Sequence, residues 1–278
     1  MTAGQQWQEW IRTCRREQAE PEEQVWQRLA AWYTNWARHN DYVEIVLPRL
    51  LKVVGPAARL LEVGPGSGAF TLPLAAAVRE VVAVEPSPAM RSVLHQNLAA
   101  AGVTNVQVIP QPIETGLAGL EGCFDLVLAA HSLYQVEPIE VVLRGLIDLA
   151  PYVAILMGTG EQREWYRALY RQFKGKEPFP YAHFRHFYPV LLAMDINADV
   201  ELLWTSYNYV YDDEASMVDW WLHHFHLAEA KRSDLQTALG RVAEWRDGQI
   251  GIYDRRTTAL VWIDRDHQLL HRHNIPDN

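Results

Sequence analysis

The chain has 278 residues, 49% of them hydrophobic, enough for one large domain or a domain with an elaboration. Its net charge is −9 and no Lys/Arg block exceeds two or three residues, which argues against a nucleic-acid partner, because that affinity comes largely from neutralising phosphates. Two cysteines, Cys14 and Cys123, make no disulfide framework, the N-terminus has no basic-then-apolar signal pattern, and no apolar run reaches membrane-spanning length, so a soluble cytoplasmic protein with no membrane partner is expected.

Two helical stretches open the chain, at 5–18 and 22–39. Pro21 stands where the second can begin, with Glu22 and Glu23 in its first turn, where the helix dipole favours them. Asp41 is placed to cap a third helix through Leu51, with a break or kink at Pro48. The rhythm then changes. ARLLEVG (58–64) is a short apolar run ending at glycine, a buried strand. A helical pattern follows over 68–78, then a second strand over 80–86. Ser87 caps a helix over 87–102, with Pro88 in its first turn and Gly102 as its stop. Strands three, four and five fall at 105–110, 124–130 and 152–158, with a helix over 137–150. Strands separated by single helices predict a parallel sheet with right-handed crossovers, a doubly wound α/β nucleotide-binding fold.

After Gly160 the pattern loosens. A helix is expected over 161–173, an aromatic stretch over 178–196 and an alternating strand over 199–211. Helices follow over 213–230 and 233–248, then a short strand over 250–254 and a final one over 257–266. The late strands fit a sixth and a seventh, separated by an insertion. Aromatic residues are unevenly spread: residues 48–160 hold only Phe70, Phe124, Tyr134 and Tyr152 of the 30 Phe, Trp and Tyr. The middle therefore reads as a packed α/β unit and the flanks as a cover for a surface or a ligand.

The stretch LLEVGPGSGAF (60–70) sets Gly64, Gly66 and Gly68 directly after a buried strand. A strand, a glycine-rich turn and a helix offer free backbone N–H groups and approachable Cα atoms at the carboxyl edge of a sheet, where ligands bind. The second strand ends in Glu85, 21 residues after Gly64, the distance of a carboxylate that accepts from ribose hydroxyls. A dinucleotide wants G-x-G-x-x-G; here the spacing is G-x-G-x-G, with Glu62 two residues before the first glycine. A carboxylate so placed repels a pyrophosphate and suits a ligand carrying positive charge, such as the sulfonium and ammonium of S-adenosylmethionine.

At these residues the sequence resembles the class I S-adenosylmethionine-dependent methyltransferases. LLEVGPGSG is similar to their first motif and VVAVEPS to their ribose-binding second strand. NVQVIPQPIE is similar to the segment that lines the adenine, and FDLVLAAHSLY to the strand-four motif facing the reaction centre. The resemblance covers roughly residues 35–160 and, weakly, the last strands. It implies a Rossmann-like methyltransferase fold with a mostly parallel seven-stranded sheet, an N-terminal helical lid and a helical insertion. Residues 1–52 would be the lid and 53–278 the methyltransferase domain, with substrate-cap elements at 161–195 and 212–248. The cofactor it implies is S-adenosylmethionine, with S-adenosylhomocysteine as product.

By the same resemblance, Gly64, Gly66 and Gly68 approach the methionine part and ribose, and Glu62 orients the loop or meets the ammonium. Glu85 binds the ribose hydroxyls and Pro86 or Ser87 flanks the adenine. Where many relatives carry an acidic residue, this chain has Gln111-Pro112-Ile113-Glu114, so either Gln111 or Glu114 meets the adenine amino group, beside Ile113. Ala129 in the fourth strand completes the set. Tyr33 and Tyr42 precede the first strand, where an aromatic closes over the cofactor.

GPGSGAFTLPLA is also similar to the ribosomal RNA adenine dimethylases. Those carry Asn or Asp, a proline-containing pair and an aromatic after strand four; this chain has His131-Ser132-Leu133-Tyr134. The Pro-Cys nucleophile of cytosine-C5 enzymes, the paired glutamates of protein-arginine enzymes and the Asp clusters of metal-dependent catechol enzymes are not recognisable. A small-molecule acceptor in a pocket from the aromatic flanks is expected, with nucleic acid unlikely. His131, with an ordinary pKa near 6.5, is the candidate proton acceptor, or else it packs the loop; Tyr134 shapes the pocket wall. Tyr181, His183 and His186 could reach the same point from the insertion. Non-catalytic cofactor binding and RNA or protein methylation are the alternatives. His223 and His226 share a helix face without an identifiable third ligand, so no metal is expected, and the histidines of 267–274 read as a solvated tail.

Overall fold

The computed structural model describes residues 1–17, 21–117, 120, 124–161, 163–178 and 181–266; Cys123 and the histidines of 267–274 lie outside them. Three helices come first: α1 (Ala3–Glu17), α2 (Glu22–Arg38) and α3 (Tyr42–Leu50). Strands and helices then alternate as β1 (Arg59–Val63), α4 (Thr71–Ala77), β2 (Glu80–Val84), α5 (Pro88–Ala100), β3 (Val106–Ile109), α6 (Ile113–Gly116), β4 (Leu126–Ala130), α7 (Ile139–Leu149) and β5 (Tyr152–Gly158). The remainder is α8 (Glu164–Lys174), α9 (Phe184–Ala193), β6 (Asp199–Ser206), β7 (Tyr209–Tyr211), α10 (Glu214–His224), α11 (Arg232–Leu239), β8 (Glu244–Arg246), β9 (Gln249–Ile252) and β10 (Arg255–Asp264).

The main sheet has seven strands in the order β3-β2-β1-β4-β5-β10-β6. The first five are parallel, and β1 sits between β2 and β4, with Leu60 opposite both Val81 and Leu126. β2, β4 and β5 read as nearly unbroken apolar runs because helices cover both faces, while the edge strand β3 is only part-buried and carries the exposed Gln107. β10 is antiparallel to each neighbour, pairing Thr258 with Gly158 of β5 and with Leu203 of β6. The turns after β1, β2, β4 and β5 therefore open on one edge, and the chain enters β10 from that same edge. Two apolar clusters fill the faces. One runs from α1 through α7 and α9, and the other lies under α3 and α4.

The sequence reading needs correction at several places. α1 is part of the core and not a separable cover: Trp7 and Ile11 are fully buried, and the Trp7 indole donates to the Val136 carbonyl at 3.0 Å. α3 continues through Pro48 to Leu50 without the expected break, and the Asp41 carboxylate accepts from the Ser206 amide at 2.6 Å in place of capping. The strand expected over 199–211 splits at Asn208. Its amide donates to Asn40 Oδ1 at 2.7 Å, its side chain donates to the His39 carbonyl at 2.8 Å, and its Oδ1 accepts from the Asp254 amide at 3.1 Å. That knot diverts the chain, so β7 joins a separate three-stranded sheet, β7-β9-β8. The helix expected over 233–248 stops at Leu239. Asp247 and Gly248, at φ 50° and 81°, turn β8 into β9, because two residues with positive φ match the twist of a hairpin. The insertion is therefore mixed α/β and not wholly helical. Among the described residues no helix is long and apolar enough to cross a membrane, and no three His, Cys, Asp or Glu are grouped to hold a metal ion.

Candidate active site

Gly64, Gly66 and Gly68 all have positive φ, but they face different things. The Gly64 amide donates to the Val84 carbonyl at 2.9 Å, and a Cβ there would stand 2.5 Å from Ser132 Cβ. Gly64 thus permits the turns after β1 and β4 to touch. A Cβ on Gly68 would meet Leu94 of α5 at 2.7 Å, which is packing as well. A Cβ on Gly66, at φ 57°, would meet nothing within 4 Å. Gly66 is the open side of the cradle. Asn97 of α5 fixes the outer limb by donating to the Ser67 carbonyl at 2.8 Å.

Two buried carboxylates frame the turn. Glu85, at the end of β2, accepts from the Gly66 amide at 3.1 Å and the Ser87 amide at 2.9 Å. Burial pushes its pKa up, and the two amides oppose that shift. Each carboxylate oxygen has two lone-pair sites, so Glu85 keeps acceptor capacity toward a ligand hydroxyl. Glu62, in β1 and 2% exposed, accepts from Thr71 Oγ1 at 2.6 Å. Burial raises its pKa to about 7, the Thr71 hydroxyl opposes this, and Glu85 adds to it. A carboxyl poised between its two states suits a cationic partner, which favours the ionised form.

On the α5 side of the turn, Ser87 caps α5 by accepting from the Met90 amide at 3.4 Å, and Pro86 is exposed beside it, its carbonyl accepting from Arg91 at 2.6 Å. Gln111 and Glu114 are exposed past the end of β3, with Ile113 buried between them. Ala129 does not join this surface. It is fully buried in β4 and packs into the α7-side core, since alternate residues of a strand point to opposite faces.

His131 follows β4 with φ 56°, a left-handed backbone that non-glycine residues adopt at a cost of about 1 kcal/mol or more. Its Nδ1 lies 2.8 Å from the Tyr134 hydroxyl, and that hydroxyl accepts from the Gly158 amide at 2.9 Å. The Tyr134 hydroxyl thus ties Nδ1 to the end of β5 and leaves Nε2 as the ring nitrogen without a described protein partner. Burial, with Arg256 nearby, lowers the His131 pKa to about 4, so the ring is neutral. Tyr42 packs edge-on against both Phe70 and His131, at 5.6 and 5.8 Å between ring centroids. Tyr33 lies one layer out in α2, against Trp26, Trp32 and Trp36. α2 itself lies along α5; Asn35 near its end donates to the Val210 carbonyl of β7, and Asn40 just beyond it accepts from the Asn208 amide in the β6–β7 link.

His183 and His186 stack against each other at 4.0 Å, with His186 on Trp10, so they belong to the α1 contact. Tyr181 does reach the edge: its hydroxyl and that of Tyr134 both face the Gly158 Cα. The sequence reading missed Arg163, Tyr207 and Arg256. Arg163 precedes α8, and Arg256 is on β10 beyond the end of β5. Both stack on the Tyr207 ring, at 4.9 and 3.3 Å from its centroid. The pair Arg255-Arg256 before an apolar strand was the available signal, but an arginine pair ordinarily marks a solvated surface.

Residues 61–148 match the family model described as "Methyltransferase domain". A ribosomal RNA small subunit methyltransferase A from Desulforapulum autotrophicum is 40% identical over 55 residues, which is 20% of this chain and 19% of that protein. The chain thus spans about a fifth of that curated relative's length. Two solved structures share the fold. The YcgJ protein from Bacillus subtilis is 16% identical, with a TM-score of 0.52, over 80% of this chain and 99% of its own. A putative methyltransferase from Bacillus halodurans is 12% identical, with a TM-score of 0.52, over 79% and 98%.

Proposed function

We propose that this chain, whose residues 61–148 match a methyltransferase-domain model, transfers a methyl group from S-adenosylmethionine to a small-molecule acceptor under the aromatic cap. The observation that carries the reading is the cradle: Glu85 holds the Gly66 amide, the Gly66 Cα faces open space, and the buried Glu62 waits on the adjacent strand. The donor set fits the cofactor. We assign Glu85 to its ribose hydroxyls, Glu62 to its cationic end, Gln111 or Glu114 to its adenine amino group, with Ile113 and Pro86 as apolar walls, and Tyr42 with Tyr33 to the cover. When bound, S-adenosylmethionine supplies a methyl group already activated by the sulfonium.

The work left to the protein is to hold an acceptor in line and exclude water. Tyr42 and the cap aromatics exclude water. His131 Nδ1 is engaged by the Tyr134 hydroxyl, so Nε2 is the nitrogen available to an acceptor. We assign His131 to donating from Nε2 and so orienting the acceptor, with Tyr134 fixing its ring. His131→Gln, which keeps a donor, should then retain turnover within about tenfold, whereas loss of a general base typically costs a hundredfold to ten-thousandfold.

Calorimetry with S-adenosylhomocysteine tests the cofactor assignment. Micromolar-range binding is expected, and Glu85→Ala should weaken it by about tenfold to a hundredfold. No binding by the wild-type chain would sink the reading. Transfer of labelled methyl to any member of an acceptor library distinguishes an enzyme from a sensor. A second reading, RNA methylation, has the 55-residue match behind it, and ribosomal RNA belongs in the same screen. Against it stands His131-Ser132-Leu133-Tyr134, which has no proline turn to present carbonyls to a base amino group.

A further inference from the structure

Arg163 and Arg256 put two guanidinium groups on one tyrosine ring at the reaction edge. Arg163 is sunk among aromatic rings, its side chain 12% exposed, with Trp165, Tyr166, Tyr207 and Tyr209 within 4.7–5.2 Å of its guanidinium carbon. Its Nη2 donates to the Tyr209 hydroxyl at 3.1 Å, and its nearest described carboxylate, Asp254, is 3.9 Å from Nε. Asp254 is already shared, since it accepts from the Trp165 indole at 3.2 Å. Arg256 lies over the Tyr207 ring, 3.3 Å from its centroid, and its charge is felt by Tyr181. Arg163 Nη1 and Arg256 Nε are buried without an acceptor.

Two cations facing one shared carboxylate leave an excess of positive charge in an interior of low dielectric. Such charge is costly unless something pairs with it. The excess registers on the neighbours: Tyr207 is held below the ordinary tyrosine range although burial alone would raise it, and His131 is pushed down partly by Arg256. A chain of net charge −9 has no general need for cations here.

The position is as telling as the charge. Arg256 stands on β10 two residues before Thr258, which pairs with Gly158, the last residue of β5. The Gly158 amide in turn donates to Tyr134, the partner of His131. The arginines therefore lie just beyond the point where an acceptor would meet the methyl group. Tyr181, 42% exposed, forms the rim between this cluster and solvent.

Building on the methyltransferase reading, we propose that the acceptor is an anion, a small molecule whose carboxylate or phosphate is gripped by Arg256 and Arg163 while its flat or apolar body lies among the tyrosines. A guanidinium fork matches either group with two parallel hydrogen bonds. The anion completes the buried charge and sets the reacting atom near Tyr134 and His131.

The test titrates the protein, saturated with S-adenosylhomocysteine, with benzoate, its neutral isostere benzamide, and inorganic phosphate. Benzoate or phosphate is expected to bind, with benzamide at least tenfold weaker than benzoate; that contrast needs no variant. Arg256→Gln should weaken the anion at least tenfold and Arg256→Lys less, with S-adenosylhomocysteine affinity within about threefold as the check on folding. The proposal is overturned if neither anion binds, if benzoate and benzamide bind alike, or if Arg256→Gln leaves anion binding unchanged. It is equally overturned if Arg256→Gln instead weakens S-adenosylhomocysteine tenfold, because the arginine then holds the cofactor's own carboxylate. Should wild-type protein bind no S-adenosylhomocysteine, the methyltransferase reading fails by itself, and the same anion titration of the free protein decides the arginine site.

Discussion

The glycine turn is held through its own backbone amides: Gly66 N–H on the Glu85 carboxylate, Gly64 N–H on the Val84 carbonyl, and an open Cα at Gly66. The cover is held by side chains. Trp32 of α2 stacks on Trp220 at 4.9 Å and on Tyr209 at 5.7 Å, and the fully buried Trp221 packs against Tyr209 and Phe225, each at 5.2 Å. The first arrangement depends on a few positions in one short stretch and tolerates almost no substitution there. The second depends on shape and volume gathered from three distant segments, and many aromatic combinations can fill it. A ligand of fixed structure suits the first, and ligands of varied shape suit the second.

The largest effect should come from emptying the cover. Trp221→Ala removes a fully buried ring, which costs about 3–5 kcal/mol, or a fall of about 10 °C in the unfolding midpoint. If the two regions are separate in function, S-adenosylhomocysteine affinity measured well below that midpoint stays within about threefold. A collapse of affinity would show that the cover and the cradle act as one unit, and the comparison would break.

Next comes a pair inside the cradle. Gly64→Ala forces a side chain into a left-handed backbone and against Ser132, and should cost about 2–4 kcal/mol of stability by chemical denaturation. Gly66→Ala meets no neighbour and should cost only about 1 kcal/mol, yet weaken S-adenosylhomocysteine more than tenfold. Equal losses of stability would mean that Gly66 is packing too, and the cradle has no open side.

The smallest effect is electrostatic. Glu62 titrates near pH 7 in the free protein, and a cationic ligand favours its ionised form. Binding therefore releases a proton, and affinity for S-adenosylmethionine falls as the solution is acidified through pH 7, by at most tenfold per pH unit, or about 1.4 kcal/mol. Calorimetry between pH 6 and 7.5 reads the slope. In Glu62→Gln it should be flat; a matching slope there would assign the proton to another group.

What was legible in the sequence divides along the same line. Glu62, Gly64, Gly66 and Glu85 could be read because strand, turn and second-strand carboxylate follow one another at fixed short spacings, and β1, β2, β4 and β5 could be read because they are mostly apolar and buried, whereas β3 is short and part-exposed. Arg163 and Arg256 could not, because their burial is made by Trp165, Tyr207 and Tyr209, which only the fold brings together. α1 was taken for a cover because nothing local to residues 3–17 tells that Trp7 will meet the Val136 carbonyl. Asp247-Gly248 did carry a hairpin signal, and it was overridden by an apolar spacing that runs on past Leu239 and looks helical.

The placement of β10 has a consequence for how this chain comes into being. β5 finishes at Gly158, but its neighbour on that side is the strand 255–264, and β6 waits for the same strand. On a ribosome adding about 5–20 residues per second, the nascent chain carries an unpaired, strongly apolar β5 edge for several seconds after it has been made. An exposed edge of that kind is a template for pairing with other chains. Arrest or proteolysis anywhere between Gly158 and Arg255 leaves a fragment that retains the glycine turn and both framing carboxylates, but with a sticky open side. Expression of such fragments should yield inclusion bodies, and a binding-competent half-molecule cannot be obtained by trimming the chain from its C-terminal side.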